Sequence, residues 1–204
     1  MRIDPITDLV AFLTKPSYAE PGFMIYGYIA LALLSLSIAV ACWRSLPGQA
    51  TPSNLLRFGV RFIVGSMWWQ QSLWKVPPDI GGLRYWTDQM VEHAAFPIQS
   101  TLVKTLILPI FTPFAYGVYA LEVFVAVSIL LGVYVRVGGT LGALLIVNLF
   151  FGLYRAPQEW PWTYVFLILL MVLIVVETYG RSLGLDAYLA AQSPEGRRRA
   201  AARA

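Results

Sequence analysis

Residues 111–136 read FTPFAYGVYALEVFVAVSILLGVYVR. From Phe111 to Tyr134 the run holds a single charge, Glu122, and Arg136 closes it. A helix needs about 20 apolar residues to cross about 30 Å of hydrocarbon, so this stretch reads as a membrane span. Pro109 and Pro113 are expected to bend or break the helix at its start, because proline lacks the backbone donor and crowds the preceding turn. Four other stretches have the same character: Gly22 to Trp43, Leu55 to Trp74, Gly138 to Tyr154 and Trp162 to Tyr179. The last two are short but are bounded by Gly138-Gly139, Arg155-Ala156-Pro157 and Gly180-Arg181. Five spans are therefore expected.

The whole composition agrees with that reading. Of 204 residues, 58% are apolar and 13% charged, whereas a soluble domain carries about 25% charged residues. Too few charges are present to cover the apolar surface in water, so lipid is the expected solvent and no nucleic-acid partner is expected. The runs are too long and too weakly alternating for an outer-membrane barrel. One cysteine, Cys42, and one histidine, His93, leave no material for a disulfide, a Cys-ligated iron–sulfur cluster, bis-His haem or an ordinary zinc site. Redox chemistry, if any, has to run through an organic carrier or a partner subunit.

Four units follow from these boundaries. Residues 1–21 form a leader in which Asp4-Pro5 resembles a helix start and Ile6, Leu9, Val10 and Leu13 recur at helical spacing. An amphipathic helix on the outer membrane surface is expected there, with a frayed terminus as the alternative. Residues 22–43 are a first transmembrane helix, 55–186 a four-helix bundle with an outer-face insertion at 75–101, and 187–204 a basic tail. Lysine and arginine distribution sets the orientation. With the N-terminus outside, nine basic residues fall inside and six outside, and the arginine-rich tail meets the cytoplasmic leaflet. The expected location is a bacterial inner membrane.

Charges within the spans need a reason. Glu122 lies mid-span, where an ionised carboxylate costs several kcal/mol. It must be protonated, paired with a cation, or face a wet or ligand-filled cavity. Arg61 is the expected partner, although helix rise puts it about 9 Å closer to the inner boundary. The pair reads as either a structural link or a proton-handling site. Arg57, Arg61, Gly65, Trp68, Ser72 and Lys75 recur at steps of three and four and so share one helix face. Glu177 stands four residues before Arg181, the spacing of a local helix ion pair.

The outer end is rich in groups that suit a ligand. Six of seven tryptophans fall there, whereas an aromatic belt marks both interfaces. Trp69, Gln71, Lys75, Trp86, Tyr119 and Asn148 are the candidate lining of a pocket open to the outer leaflet, roofed by the segment around Trp86. Each polar residue taken alone reads as an interhelical hydrogen bond.

From Leu56 onward the chain resembles the DoxX/DoxD-like membrane proteins, including the small membrane subunit of thiosulfate:quinone oxidoreductases. The resemblance rests on Arg61, Gly65 and Lys75, on Glu122 ahead of Leu131-Gly132 and Arg136, and on Gly180-Arg181-Ser182-Leu183-Gly184-Leu185-Asp186. It covers about 130 residues and implies an all-α four-helix membrane bundle, here with an extra N-terminal helix. It also implies a link to quinone or sulfur-compound oxidation.

Two functions remain open at this stage. One is a membrane subunit of a quinone-linked oxidoreductase or electron-transfer complex, with the quinone in the outer pocket and Glu122 exchanging protons. The other is a non-catalytic accessory or anchoring subunit, whose first helix, rich in Ala30, Ala32, Ser35, Ser37, Ala39 and Ala41, packs against a larger membrane complex. Other membrane or periplasmic subunits are expected partners under both.

Overall fold

The computed structural model describes residues 4, 6, 7 and 24–193, and among these residues there are helices and turns but no strand. Asp4 accepts hydrogen bonds from the backbone N–H of Ile6 (3.1 Å) and the hydroxyl of Thr7 (2.7 Å), the arrangement of a helix N-cap. These bonds, led by the one from the Thr7 side chain, hold its carboxyl below the usual carboxylate range. The rest of the expected leader helix, and the tail from residue 194, lie outside the described residues.

Helix α1 is Met24–Ser45 and α2 is Pro52–Leu73. A cap starts α2: the Thr51 hydroxyl accepts from the Asn54 N–H at 3.2 Å, and Pro52 takes the first helical position, where no donor is missed. Beyond a turn at Lys75–Ile80 come α3 (Gly81–His93) and the short α4 (Pro97–Leu102). A wide π-type turn, Val103–Ile107, and a tight 3-10 turn, Leu108–Ile110, then lead into α5, Phe111–Leu131. The prolines thus distort the helix ahead of Phe111 without ending the helical path. Helices α6 (Val135–Gly152), α7 (Pro161–Val176) and α8 (Leu185–Gln192) complete the described chain.

Among the described residues, three stretches are long and apolar enough to cross a membrane: Ile25–Ser45, Pro97–Leu131 and Val135–Gly152. Helix α7 is as apolar but has 16 residues. Helix α2 has a spanning length of 22 residues but carries Arg57, Arg61, Gln70 and Gln71.

Packing runs α2 on α5, α5 on α6 and α6 on α7, with α1 laid against α2 and α5. Val64, Trp68, Val125, Ile129, Ile146 and Met171 lie at the centre. Gly65 sets the α2–α5 spacing: a Cβ there would stand 2.7 Å from Leu130 Cγ and 2.9 Å from its backbone nitrogen. On α1, Tyr28, Ser35, Ala39 and Cys42 turn inward. The Ser35 hydroxyl donates to the Leu130 carbonyl at 2.5 Å, and the Tyr28 and Ser66 hydroxyls share a 2.8 Å bond. Part of the small-residue pattern of α1 is therefore consumed inside this chain.

Two expected boundaries move for physical reasons. Helix α5 stops at Leu131, three residues early, because Gly132 takes a left-handed conformation (φ 68°), the usual end of a helix. Helix α6 starts at Val135, so Gly138-Gly139 is not a boundary. It lies inside α6, where added Cβ atoms would collide with Ser128 and Val175. The segment from residue 187, expected as tail, begins instead as part of α8. Ala187 is buried with Cys42 and Leu183, and the Tyr188 hydroxyl bonds that of Ser45 at 2.8 Å.

Candidate functional site

Helix α2 turns one face into the bundle: Arg61, Gly65, Trp68 and Ser72 are all buried, and Lys75 just past its end is buried too. Two cations are thereby hidden among apolar helices, and each needs a partner.

Arg61 finds backbone. Its Nη1 donates to the carbonyls of Ile129 and Leu130, both at 2.7 Å, and its Nη2 to the Leu183 carbonyl at 3.1 Å. The carbonyls at the end of α5 have no partner within their own helix and carry the negative end of its dipole. A planar guanidinium can reach several of them at once. The Phe58 ring covers it, 5.3 Å from centroid to guanidinium carbon.

Lys75 takes Glu122. Its Nζ donates to both carboxylate oxygens, at 2.6 Å to Oε2; both side chains are buried. The ammonium also lies 4.4 Å from the centroid of the Trp74 ring, where the negative ring face attracts it. The expected Arg61–Glu122 pair is thus not formed. Helix rise already separated the two in height, and α2 ends at Leu73, so Lys75 sits at the turn where its long side chain can reach mid-α5.

The remaining candidates are arranged as follows. Trp69 is buried, and its indole N–H has no hydrogen-bond partner. Trp68 is buried beside it and donates to Met171 Sδ at 3.4 Å. Trp86 is half-buried, edge-on to Tyr85 with ring centroids 5.4 Å apart, and Tyr119 is half-buried. Gln71 is exposed and accepts the Trp74 indole N–H at 3.1 Å. Asn148 is exposed, accepting from Gln99 Nε2 on its backbone oxygen (3.1 Å) and its Oδ1 (3.2 Å). Lys75 and Glu122 therefore meet directly, whereas Gln71 and Asn148 face outward with partners of their own. Among the described residues, no three His, Cys, Asp or Glu side chains group closely enough to hold a metal ion.

At the other end of the bundle a clasp is built from residues that sequence reading passed over. Gln49 donates to the Arg181 carbonyl (3.0 Å) and accepts from the Leu183 N–H (2.8 Å). Asn54 Oδ1 accepts from the Ser182 hydroxyl at 2.9 Å. Asp186 accepts from the backbone N–H of Tyr134 (2.9 Å) and Val135 (3.1 Å), capping α6 from a distant part of the chain. The signal for this clasp was the stretch Gly180 to Asp186, noted for its resemblance and not for its hydrogen bonds. The Glu177–Arg181 pair expected from helix spacing is also absent. Helix α7 stops at Val176 and Thr178 is left-handed (φ 50°), so the two side chains diverge and Glu177 pairs with Arg57 at 3.0 Å.

Together these features define an all-α protein of apolar, membrane-length helices with two buried cations fixed by the fold. No family model, no curated protein and no solved structure matches the chain.

Proposed function

We propose that the chain is an integral membrane subunit of a quinone-linked oxidoreductase or electron-transfer complex in a bacterial inner membrane. In this reading α1, α2, α5, α6 and α7 span the bilayer, the N-terminus is outside and the C-terminus cytoplasmic. The supporting observation is the buried Lys75–Glu122 pair: ionisable residues within membrane helices mark proton or ligand sites by default, because their cost in hydrocarbon has to be offset by use.

Two buried donors suit a ligand that brings oxygen acceptors. The Trp69 indole N–H lacks an acceptor, and Lys75 can bond a carbonyl oxygen when Glu122 takes up a proton. Quinone reduction supplies two-electron chemistry and consumes two protons, with the electrons arriving from a partner subunit. Glu122 delivers a proton and is reloaded from the outer face, Lys75 holds the carboxylate ionised between turnovers, and Trp69 orients the headgroup. Gln71 and Asn148, being engaged elsewhere, have no part in it.

A second reading has its own observation. Lys75 and Glu122 satisfy each other, which is also what a purely structural link in an accessory subunit would do. Purification in mild detergent followed by organic extraction separates the two. The quinone reading expects co-purifying quinone in the native chain and about a tenfold loss in Glu122→Gln and Trp69→Phe, the effect of one hydrogen bond to a charged or buried group. A stoichiometric partner bearing haem or a cluster, with no quinone held by this chain, makes it the accessory subunit.

A further inference from the structure

The clasp end of the bundle holds a cavity of about 280 Å³ lined by Tyr134, Arg136, Val137, Thr178, Arg181 and Leu189, together with Gly180, Asp186 and their neighbours. Its charge is set by which acids have been removed from it. Glu177, the nearest acid in sequence to Arg181, is held by Arg57. Asp186 is at the wall, but its two oxygens accept the N–H groups of Tyr134 and Val135. Arg136 and Arg181 are left with no ion pair among the described residues, both with exposed side chains. Because Asp186 already occupies the start of α6, those backbone donors are not available to a ligand. The two guanidinium groups and the Thr178 hydroxyl are.

The geometry points to a binding site for a phosphate oxyanion in this cavity, held by Arg136 and Arg181, the group being either the phosphodiester of an anionic phospholipid or free phosphate. Guanidinium forks match phosphate oxygens in pairs, and two of them outweigh the one carboxylate at the wall. The mouth is amphipathic: Val137 and Leu189 are each 51% exposed beside the arginines, which places aliphatic surface where the first methylenes of an acyl chain would run. Basic recesses between membrane helices at the cytoplasmic face suit anionic headgroups. The site shares no residue with the Lys75–Glu122 pair, so its fate is independent of the quinone reading.

The test uses the full chain in non-ionic detergent, with native mass spectrometry and thermal unfolding after adding phosphatidylglycerol, phosphatidylcholine or inorganic phosphate. One phosphatidylglycerol retained per chain is expected, with a rise in Tm that phosphatidylcholine does not give. Arg136→Gln/Arg181→Gln is expected to lower retention about tenfold, from the loss of two charge-assisted contacts. Arg84→Gln, remote from the cavity, keeps it. An equal, arginine-dependent Tm rise with millimolar inorganic phosphate assigns the site to the free anion. Equal retention of phosphatidylglycerol and phosphatidylcholine, or unchanged retention in a double variant whose ligand-free Tm is native, overturns the site.

Discussion

Arg61, midway along α2, and Lys75, just past its end, are almost equally hidden, at 0% and 5% exposure, yet their surroundings differ in kind. Arg61 is held by three carbonyls, none of which titrates. Its charge is permanent, since a guanidinium does not give up its proton in a protein, and it ties the end of α5 and the loop at Leu183 to the middle of α2. Lys75 is held by a carboxylate, so the pair is neutral overall and one proton can move within it. The first arrangement can only fix structure. The second fixes structure too, but it can also exchange a proton, and this places the proposed chemistry at Glu122 and not at Arg61.

The largest effect is expected from Arg61→Met, which leaves the carbonyls of Ile129 and Leu183 without a donor and that of Leu130 with the Ser35 hydroxyl alone, and should destabilise the chain by about 4 kcal/mol. Thermal unfolding in detergent reads this, and Arg61→Lys should recover only part of it, since a point charge cannot span three acceptors. A near-native midpoint for Arg61→Met would contradict the structural role.

Next come Lys75→Met and Glu122→Gln, each expected to cost about 3 kcal/mol because the partner is left buried and unpaired. The double variant Lys75→Met/Glu122→Leu should return close to native stability. If the two losses simply add, Lys75 and Glu122 are not coupled and the contrast with Arg61 loses its basis.

Gly65 lies between the two cations, and Gly65→Ala is expected to cost about 2 kcal/mol by pushing α5 away from α2. Gly142→Ala makes a useful control. Its Cβ would meet the Met171 methyl at 2.5 Å, the end of a flexible thioether that can swing aside, so the loss should be smaller. Smallest of all is Arg57→Gln. The Arg57–Glu177 side chains are 35% and 49% exposed, and equilibrium unfolding should show a change below about 1 kcal/mol.

Helix positions were largely legible in the sequence, because a run of apolar residues reports burial or lipid contact whatever its neighbours do. Gly22 to Trp43 corresponds to α1 and Trp162 to Tyr179 to α7, within a few residues. Glycine was the less legible residue. Gly132 ends a helix while Gly138 and Gly139 let one pack closely, and the difference lies in backbone angle and in neighbours from other helices. Pairing was less legible still. Height along the helix axis was the right variable for Arg61 and Glu122, but a lysine past the last turn of α2 can reach where a residue within the helix cannot. Glu177 and Arg181 had the spacing of a helix pair without the helix to support it. The groups that close the clasp are two neutral amides and one acid: Gln49 in a loop, Asn54 in the first turn of α2 and Asp186 in the short α8. Their meaning depends on contacts between segments far apart in sequence.

The Arg61 clamp also bears on how the protein is made. Its acceptors follow it by 68, 69 and 122 residues. A ribosome delivering the chain from its N-terminus completes α2 while none of them exists. Until α5 emerges, the guanidinium has to be kept near the headgroups by its long stem, and the third bond waits for Leu183. The three bonds therefore form in a fixed order, with that to Leu183 last. A nascent chain halted before that residue carries a cation held at two points instead of three, so a single side chain couples delivery of the segment after α7 to closure of this contact.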